Sequence, residues 1–244
     1  LNGLSALVVE DHKINQVYVT SLLEEMGVSV DLAENGALAL KKLQKREYDV
    51  VLMDVQMPVM DGVQATKIIR EKLELRVPII ALTANALKGD GDKYRAAGMD
   101  EYLSKPFKDV ELREKIGQLL NRDIVVLDSV DSEVHSSNEQ DAVELYSLEK
   151  LQKVGKGKKE FVDKMIAMFC EETPKSLDLL RKHLENEDYE QLARVAHKIK
   201  PSINMMDIAS ITGDVQKIEV LATTGEDLHK LCLLYTSPSP RDFG

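Results

Sequence analysis

Four apolar runs in the first half of the chain end in residues able to do chemistry. Val50-Val51-Leu52-Met53 ends in Asp54, and Leu4 to Val9 ends in Glu10-Asp11. Val77 to Leu82 ends in Thr83, and Asp100 to Leu103 is followed by Ser104-Lys105-Pro106-Phe107. Three acids brought together repel unless a hard cation neutralises them. Magnesium suits, because it takes one or two carboxylates with waters and a phosphate oxygen. Lys105 is a point charge that balances a phosphoryl group, and Thr83 offers a hydroxyl donor. An acid, a metal, an ammonium and a hydroxyl are the parts needed to accept a phosphoryl group and stabilise its charge. A lone acid at a strand end is usually solvated or salt-bridged; it is the set that points to chemistry.

The intervening segments must hold these ends together. Apolar residues recur at three- and four-residue spacing in Ile14 to Met26, Ala37 to Arg46, Val63 to Leu73, Ala86 to Ala97 and Val110 to Leu120, which predicts five helices. Val28 to Leu32 reads as a further short strand. Continuous apolar runs suit strands buried on both faces. Strands alternating with such helices predict a parallel α/β sheet covered on both faces. All the polar ends then share the carboxyl edge, where open α/β sheets place their ligands. Pro58 and Asp61-Gly62 force a turn directly after Asp54.

Residues 4–121 resemble a response-regulator receiver domain along their whole length. The matching motifs are Val-Val-Glu-Asp, Leu-Met-Asp-Val-Gln-Met-Pro-Val-Met-Asp-Gly, Ala-Leu-Thr-Ala and Lys-Pro-Phe. The resemblance implies a flavodoxin-like (βα)5 fold with Asp54 as phosphoacceptor. It implies magnesium held by Asp11, Asp54 and the Gln56 carbonyl, with Glu10 in support. Thr83 and Lys105 would contact phosphoryl oxygens, and Tyr102 would change rotamer with Thr83 on activation. The Lys105-Pro106 bond would be cis. The acidic pair is Glu-Asp where many members have Asp-Asp.

At 244 residues the chain has room for two domains. It has no stretch of ~18 apolar residues to span a membrane and no visible signal peptide. A net charge of −10 argues against non-specific nucleic-acid binding. Cys170 and Cys232 form no disulfide framework or metal spacing. Cys170 is expected in core packing, and the cytoplasm is the default location. Leu1-Asn2-Gly3 running straight into the first strand reads as a chain cut from something longer. Residues 232–244 resemble the translation of a sequencing adapter, a non-native scar; the alternative is a Pro/Ser-rich tail.

The expected organisation is a receiver over 1–121, a linker over 122–144, a helical domain over 145–231 and the non-native tail. The linker is rich in Asp, Ser and Glu and reads as flexible, with His135 solvated. From Leu145 the pattern is helical and predicts a small antiparallel bundle whose last helix is truncated. Phe161, Met165, Met168 and Phe169 form one apolar stripe, and Pro174 is expected to start or kink the next segment. Tyr189 to Met206 and Ile208 to Leu221 are two more predicted helices. Leu192, Ala196, Ile199, Ile203 and Met206 share one face of the first of these. His197 lies beside that stripe, with Arg194 and Lys200 three residues either way and Lys198 next in sequence. It is expected to be exposed among cations, where an imidazole can take a phosphoryl group. His183 and His229 lack such neighbours and read as plain surface residues.

Residues 145–231 resemble a histidine phosphotransfer (HPt) domain, whose phosphorylation motif matches Ala-His-Lys-Ile-Lys at His197. Pro201 stands where family members often have Gly, and it predicts a local kink. Together the resemblances imply a phosphorelay. Asp54 takes a phosphoryl group from a kinase histidine and passes it to His197, which donates to a downstream response regulator. They also imply the tail of a hybrid sensor histidine kinase whose kinase domain lies in the same parent chain, with room for a membrane anchor elsewhere in that parent. Three alternatives remain at this stage: a kinase dimerisation domain, an inert structural bundle, and a regulator with a DNA-binding second domain. The first expects an acid where Lys198 stands, and no Gly-rich ATP box follows. The last needs a basic recognition helix that the chain lacks.

Overall fold

The computed structural model describes residues 1–83, 90–105, 107–121, 146–155 and 157–225. The linker, the tail, Pro106, His135, His229, Cys232 and the first residues of the fourth predicted helix therefore lie outside the described residues. The chain divides into two units, Leu1–Glu144 and Leu145–Gly244.

The first unit alternates β1 (Ser5–Val9), α1 (Lys13–Glu25), β2 (Ser29–Ala33), α2 (Gly36–Leu43), β3 (Val50–Asp54), α3 (Gly62–Glu71), β4 (Ile79–Thr83), α4 (Asp90–Ala96), β5 (Glu101–Ser104) and α5 (Asp109–Leu119). The five strands form one parallel sheet in the order β2-β1-β3-β4-β5. This is the predicted flavodoxin-like α/β fold. β3 and β4 are buried at every position, as their unbroken apolar runs require. Alternate residues serve opposite faces. Leu7, Val9, Val51, Met53, Ile79 and Ala81 pack with Ala39, Leu43, Ala65, Ile69 and Tyr94 from α2, α3 and α4. On the other face α1 and α5 bury Leu22, Leu23, Leu112 and Ile116.

Register aligns the chemistry. Val9 pairs with Met53, so Glu10 and Asp54 emerge level with each other. Asp54 pairs with Leu82 and Thr83 pairs with Ser104, so Thr83 and Lys105 follow at the same edge. The Lys105 N–H donates to the Thr83 carbonyl at 2.6 Å and locks the last step. The order reverses between β1 and β3, which places the crevice of a doubly wound sheet there.

The second unit is helical: α6 (Glu149–Val154), α7 (Lys159–Glu185), α8 (Tyr189–Met205) and α9 (Ala209–Thr224). Leu180 of α7, Leu192, Ala196, Ile199 and Ile203 of α8, and Val215 and Ala222 of α9 form its core. The predicted apolar face of α8 is therefore the buried one. Asp188 caps α8 by accepting from the Gln191 N–H at 3.2 Å. Two expectations need correction. Pro174 does not start a new segment, the first of the two outcomes expected of it, since α7 runs through it as one helix. Cys170 is exposed rather than core, because it lies one residue, about 100° of helical turn, beyond half-buried Phe169. Among the described residues no helix is long and apolar enough to cross a membrane.

Candidate functional site

Glu10, Asp11 and Asp54 each present a carboxylate oxygen, and these atoms lie within 4.8 Å of one another. Glu10 is fully buried and Asp54 nearly so. Buried like charges this close need a cation between them. Lys105 supplies one, its Nζ standing 2.5 Å from Glu10 Oε2 and 2.8 Å from Asp54 Oδ2. Glu10 Oε1 accepts from Asn15 Nδ2 at 3.0 Å and from the His12 N–H at 3.2 Å. The Gln56 N–H donates to Asp54 Oδ1 at 3.2 Å.

Burial, reinforced by the charge on Asp54, raises the Glu10 pKa above the ordinary carboxylate value despite Lys105. Burial works against the Lys105 ammonium, but Asp54 and Glu10 outweigh it and raise its pKa. Lys105 is thus a buried, permanently charged counter-ion. The donor set is all oxygen and anionic, which fits a hard divalent ion.

The turn after β3 is built for close approach. Asp61 caps α3 by accepting from the Gln64 N–H at 2.7 Å. A Cβ on Gly62 would collide with the carbonyl of Asp54. The Gly62 N–H meanwhile donates to the Val55 carbonyl at 3.0 Å.

Thr83 is buried, and its hydroxyl lies 3.1 Å from the Tyr94 hydroxyl on α4. Half-buried Tyr102 packs against the Tyr94 ring at 6.3 Å. Tyr94 and Asn15 belong to the site's surroundings and were not singled out from sequence. Asn15 stands five residues after Glu10, early in α1, a spacing that carries no signal of its own.

In the second unit His197 departs from expectation. It is buried, 8% exposed, and not a surface imidazole among free cations. Its Nδ1 lies 2.6 Å from Glu219 Oε1 on α9, and Lys200 Nζ lies 2.5 Å from Glu219 Oε2. Lys200 is buried as well. Arg194 remains exposed but pairs with Glu190 at 2.6 Å, one turn back. The periodicity of α8 alone could not show that α9 covers this side. Burial disfavours the charged Glu219, yet the bonds from His197 and Lys200 prevail and lower its pKa. Glu219 was missed because it lies far along the chain and only the α8–α9 packing brings it in. His183, expected as a plain surface residue, is half-buried, its Nδ1 3.5 Å from Asp188 Oδ2.

An acid triad, with Glu10 and Asp54 buried and Asp11 partly so, and a lysine counter-ion, at the switch point of a five-stranded parallel sheet, defines a receiver-type α/β domain. Residues 6–117 match the family model for the response regulator receiver domain, and residues 164–233 match that for the Hpt domain. The chain therefore carries a receiver domain followed by an Hpt domain, a pairing that supports phosphorelay signalling. The sensor protein GacS of Pseudomonas syringae pv. syringae is 31% identical over 88% of this chain and 24% of its own length. The aerobic respiration control sensor protein ArcB of Escherichia coli (strain K12) is 32% identical over 90% of this chain and 28% of its own. The chain thus spans about a quarter of the length of these two relatives. Among solved structures, the receiver domain of a sensor histidine kinase from Pseudomonas aeruginosa, with magnesium ion coordinated in the active site cleft, is 42% identical. That match covers 49% of this chain and 98% of that one, with a TM-score of 0.46.

Proposed function

We propose that this chain carries two successive steps of a phosphorelay, first on Asp54 and then on His197. Asp11, Asp54 and the Gln56 carbonyl would hold magnesium, with Glu10 in support. When bound, the ion neutralises the acids and draws charge from the phosphoryl oxygens. An Asp54 oxygen attacks the phosphorus of a kinase phosphohistidine. The O–P bond forms as the N–P bond breaks, and the electron pair returns to the imidazole. Charge then moves from the Asp54 carboxylate onto the phosphoryl oxygens. Lys105 follows it outward, and the Thr83 hydroxyl turns from Tyr94 to donate to a phosphoryl oxygen, with Tyr102 adjusting beside it. His197 takes the group from an aspartyl phosphate and passes it to a downstream response regulator.

The observation that supports this most is the meeting of Glu10, Asp11, Asp54 and Lys105 at one sheet edge. The partners are a histidine kinase domain, in the same parent chain, and that regulator, both cytoplasmic. The domain limits proposed are 1–121 and 145–231. Acetyl phosphate with magnesium should label Asp54 with base-labile phosphate, and a chelator should abolish the label. Equal labelling of Asp54→Asn and the parent chain would sink the assignment.

A further inference from the structure

Tyr94 stands on α4 with its ring in the same buried apolar cluster as Ala81 and Met99. A phenylalanine would fill that space as well, so packing does not explain the hydroxyl. A buried phenol needs a hydrogen-bond partner, and Tyr94 finds it in the site: its hydroxyl lies 3.1 Å from that of Thr83. Thr83 is 5% exposed and Tyr94 8%, which keeps bulk water from competing for this bond. Thr83 follows directly on Leu82, the sheet partner of Asp54. The hydroxyl that is to meet a phosphoryl oxygen is therefore held, at rest, toward α4. Tyr102, the aromatic that the receiver resemblance couples to Thr83, packs against the same helix. Its ring centroid is 6.3 Å from that of Tyr94, and a Cβ on Gly91 would come within 2.9 Å of Tyr102 Cε1. Through Gly91 and Tyr94, α4 thus closes on both Tyr102 and Thr83.

We propose that Tyr94 is a positioning residue that acts through Thr83, holding its hydroxyl on α4 and so favouring the empty site over the phosphoryl-bound one. This rests on the reading above, in which Thr83 donates to a phosphoryl oxygen. The turn that carries the Thr83 hydroxyl onto the phosphoryl group carries it off Tyr94, whichever of the two donates at rest. The phenol hydroxyl is then left buried without that partner. Leaving a buried hydroxyl unpaired costs more than an ordinary hydrogen bond contributes. The parent receiver meets this cost each time the site is occupied; a receiver without the phenol hydroxyl never does. Tyr94 thereby sets how tightly the phosphoryl group is held without touching it. It also ties occupancy to α4, whose far end is fixed independently by Arg70 Nε, which donates to the Gly98 carbonyl at 2.9 Å.

The test uses the full chain and beryllofluoride, a tetrahedral mimic of the phosphoryl group, with magnesium present; fluorine NMR reads the bound anion. Tyr94→Phe removes one oxygen and keeps the ring. It should bind beryllofluoride about 10-fold more tightly than the parent, the upper end of what a net hydrogen bond contributes, with magnesium affinity unchanged. In a Thr83→Val background there is no hydroxyl to hold, and adding Tyr94→Phe should change the affinity by less than about 2-fold. A general loosening of the fold would act in both backgrounds; a hydroxyl acting through Thr83 acts in one. The parent supplies a reading that needs no variant: the signal of the Tyr94 ring carbon that bears the hydroxyl should shift when beryllofluoride saturates the site. Four results each overturn the role of Tyr94 and leave the phosphoacceptor reading standing: Tyr94→Phe binding no tighter than the parent, an equal gain in the Thr83→Val background, a magnesium affinity that shifts with it, or an unmoved Tyr94 signal. A parent that binds no beryllofluoride in the presence of magnesium overturns that reading and this proposal with it.

Discussion

Lys105 balances two buried carboxylates with one ammonium, which makes it structural as well as chemical. Removing one partner of a buried ion pair costs about 3–5 kcal/mol, because the remaining charge is left uncompensated. Lys105→Met should therefore lose stability of that order when metal-free, although lysine was read from sequence mainly as a ligand to phosphate. Magnesium should restore part of the loss by standing in as the cation. Urea midpoints with chelator and with magnesium would check this; equal magnesium increments in parent and variant would contradict it. Glu219 makes a pH-dependent claim. Its pKa is lowered in the folded state. Its contribution is thus fully present above the unfolded carboxylate value, about 4.3, and fades as pH falls through the lower folded value. The stability gap between parent and Glu219→Gln should be flat near neutrality and shrink in acid, as read by urea unfolding at several pH values. The residues legible from sequence, Glu10, Asp11, Asp54, Thr83 and Lys105, lie at the ends of strands or within two residues past them, and strand ends are visible as the close of an apolar run. Asn15, Tyr94 and Glu219 were not legible. Each matters through a distance between elements, which no local pattern encodes.

At the scale of elements, Gly62 shows a loop shaped by the site beside it. Its place at the start of α3, against the Asp54 carbonyl, leaves no room for a methyl group. Gly62→Ala should destabilise the receiver by about 1–3 kcal/mol, as overpacking does. Alanine's better helix propensity, about 1 kcal/mol in a helix interior, falls short of offsetting that at a first-turn position. Thermal and urea unfolding would show it, and an unchanged midpoint would mean that the β3–α3 turn yields freely. The strands fall within two residues of expectation because a buried parallel sheet demands unbroken apolar runs. Pro174 misled for an equally physical reason. Proline removes one helical hydrogen bond and costs roughly 3 kcal/mol in a helix interior, so Pro174 reads as the start of a segment or a kink. In α7 the carbonyl deprived of its partner belongs to exposed Cys170, where water can serve it. In α8 Pro201 is flanked by Ile199 and Ile203, each 1% exposed, and their burial holds the helix through the lost bond.

For the whole chain the question is whether Asp54 and His197 serve each other. Their surroundings are complementary in kind. Asp54 sits among acids that want a cation, and α8 carries Arg194, Lys198 and Lys200 near His197. The structure tempers this, because Lys200 is already committed to Glu219 and Arg194 to Glu190. Charge attraction between the two units should therefore be weaker than the sequence suggests, and proximity must do more. A tether with the composition of residues 122–144 holds two groups at an effective concentration of about millimolar when it lets them meet. Transfer within one chain should then outpace transfer between chains at micromolar protein. Mixing Asp54→Asn chains with His197→Gln chains tests this, since that pair can only react in trans. In the parent, the rate from Asp54 to His197 should not depend on concentration; in the mixture it should rise linearly and lag the parent by about the ratio of millimolar to the working concentration. Equal rates in parent and mixture would mean that His197 is served by a receiver on another chain, and that covalent linkage of the two domains does not govern which receiver loads it.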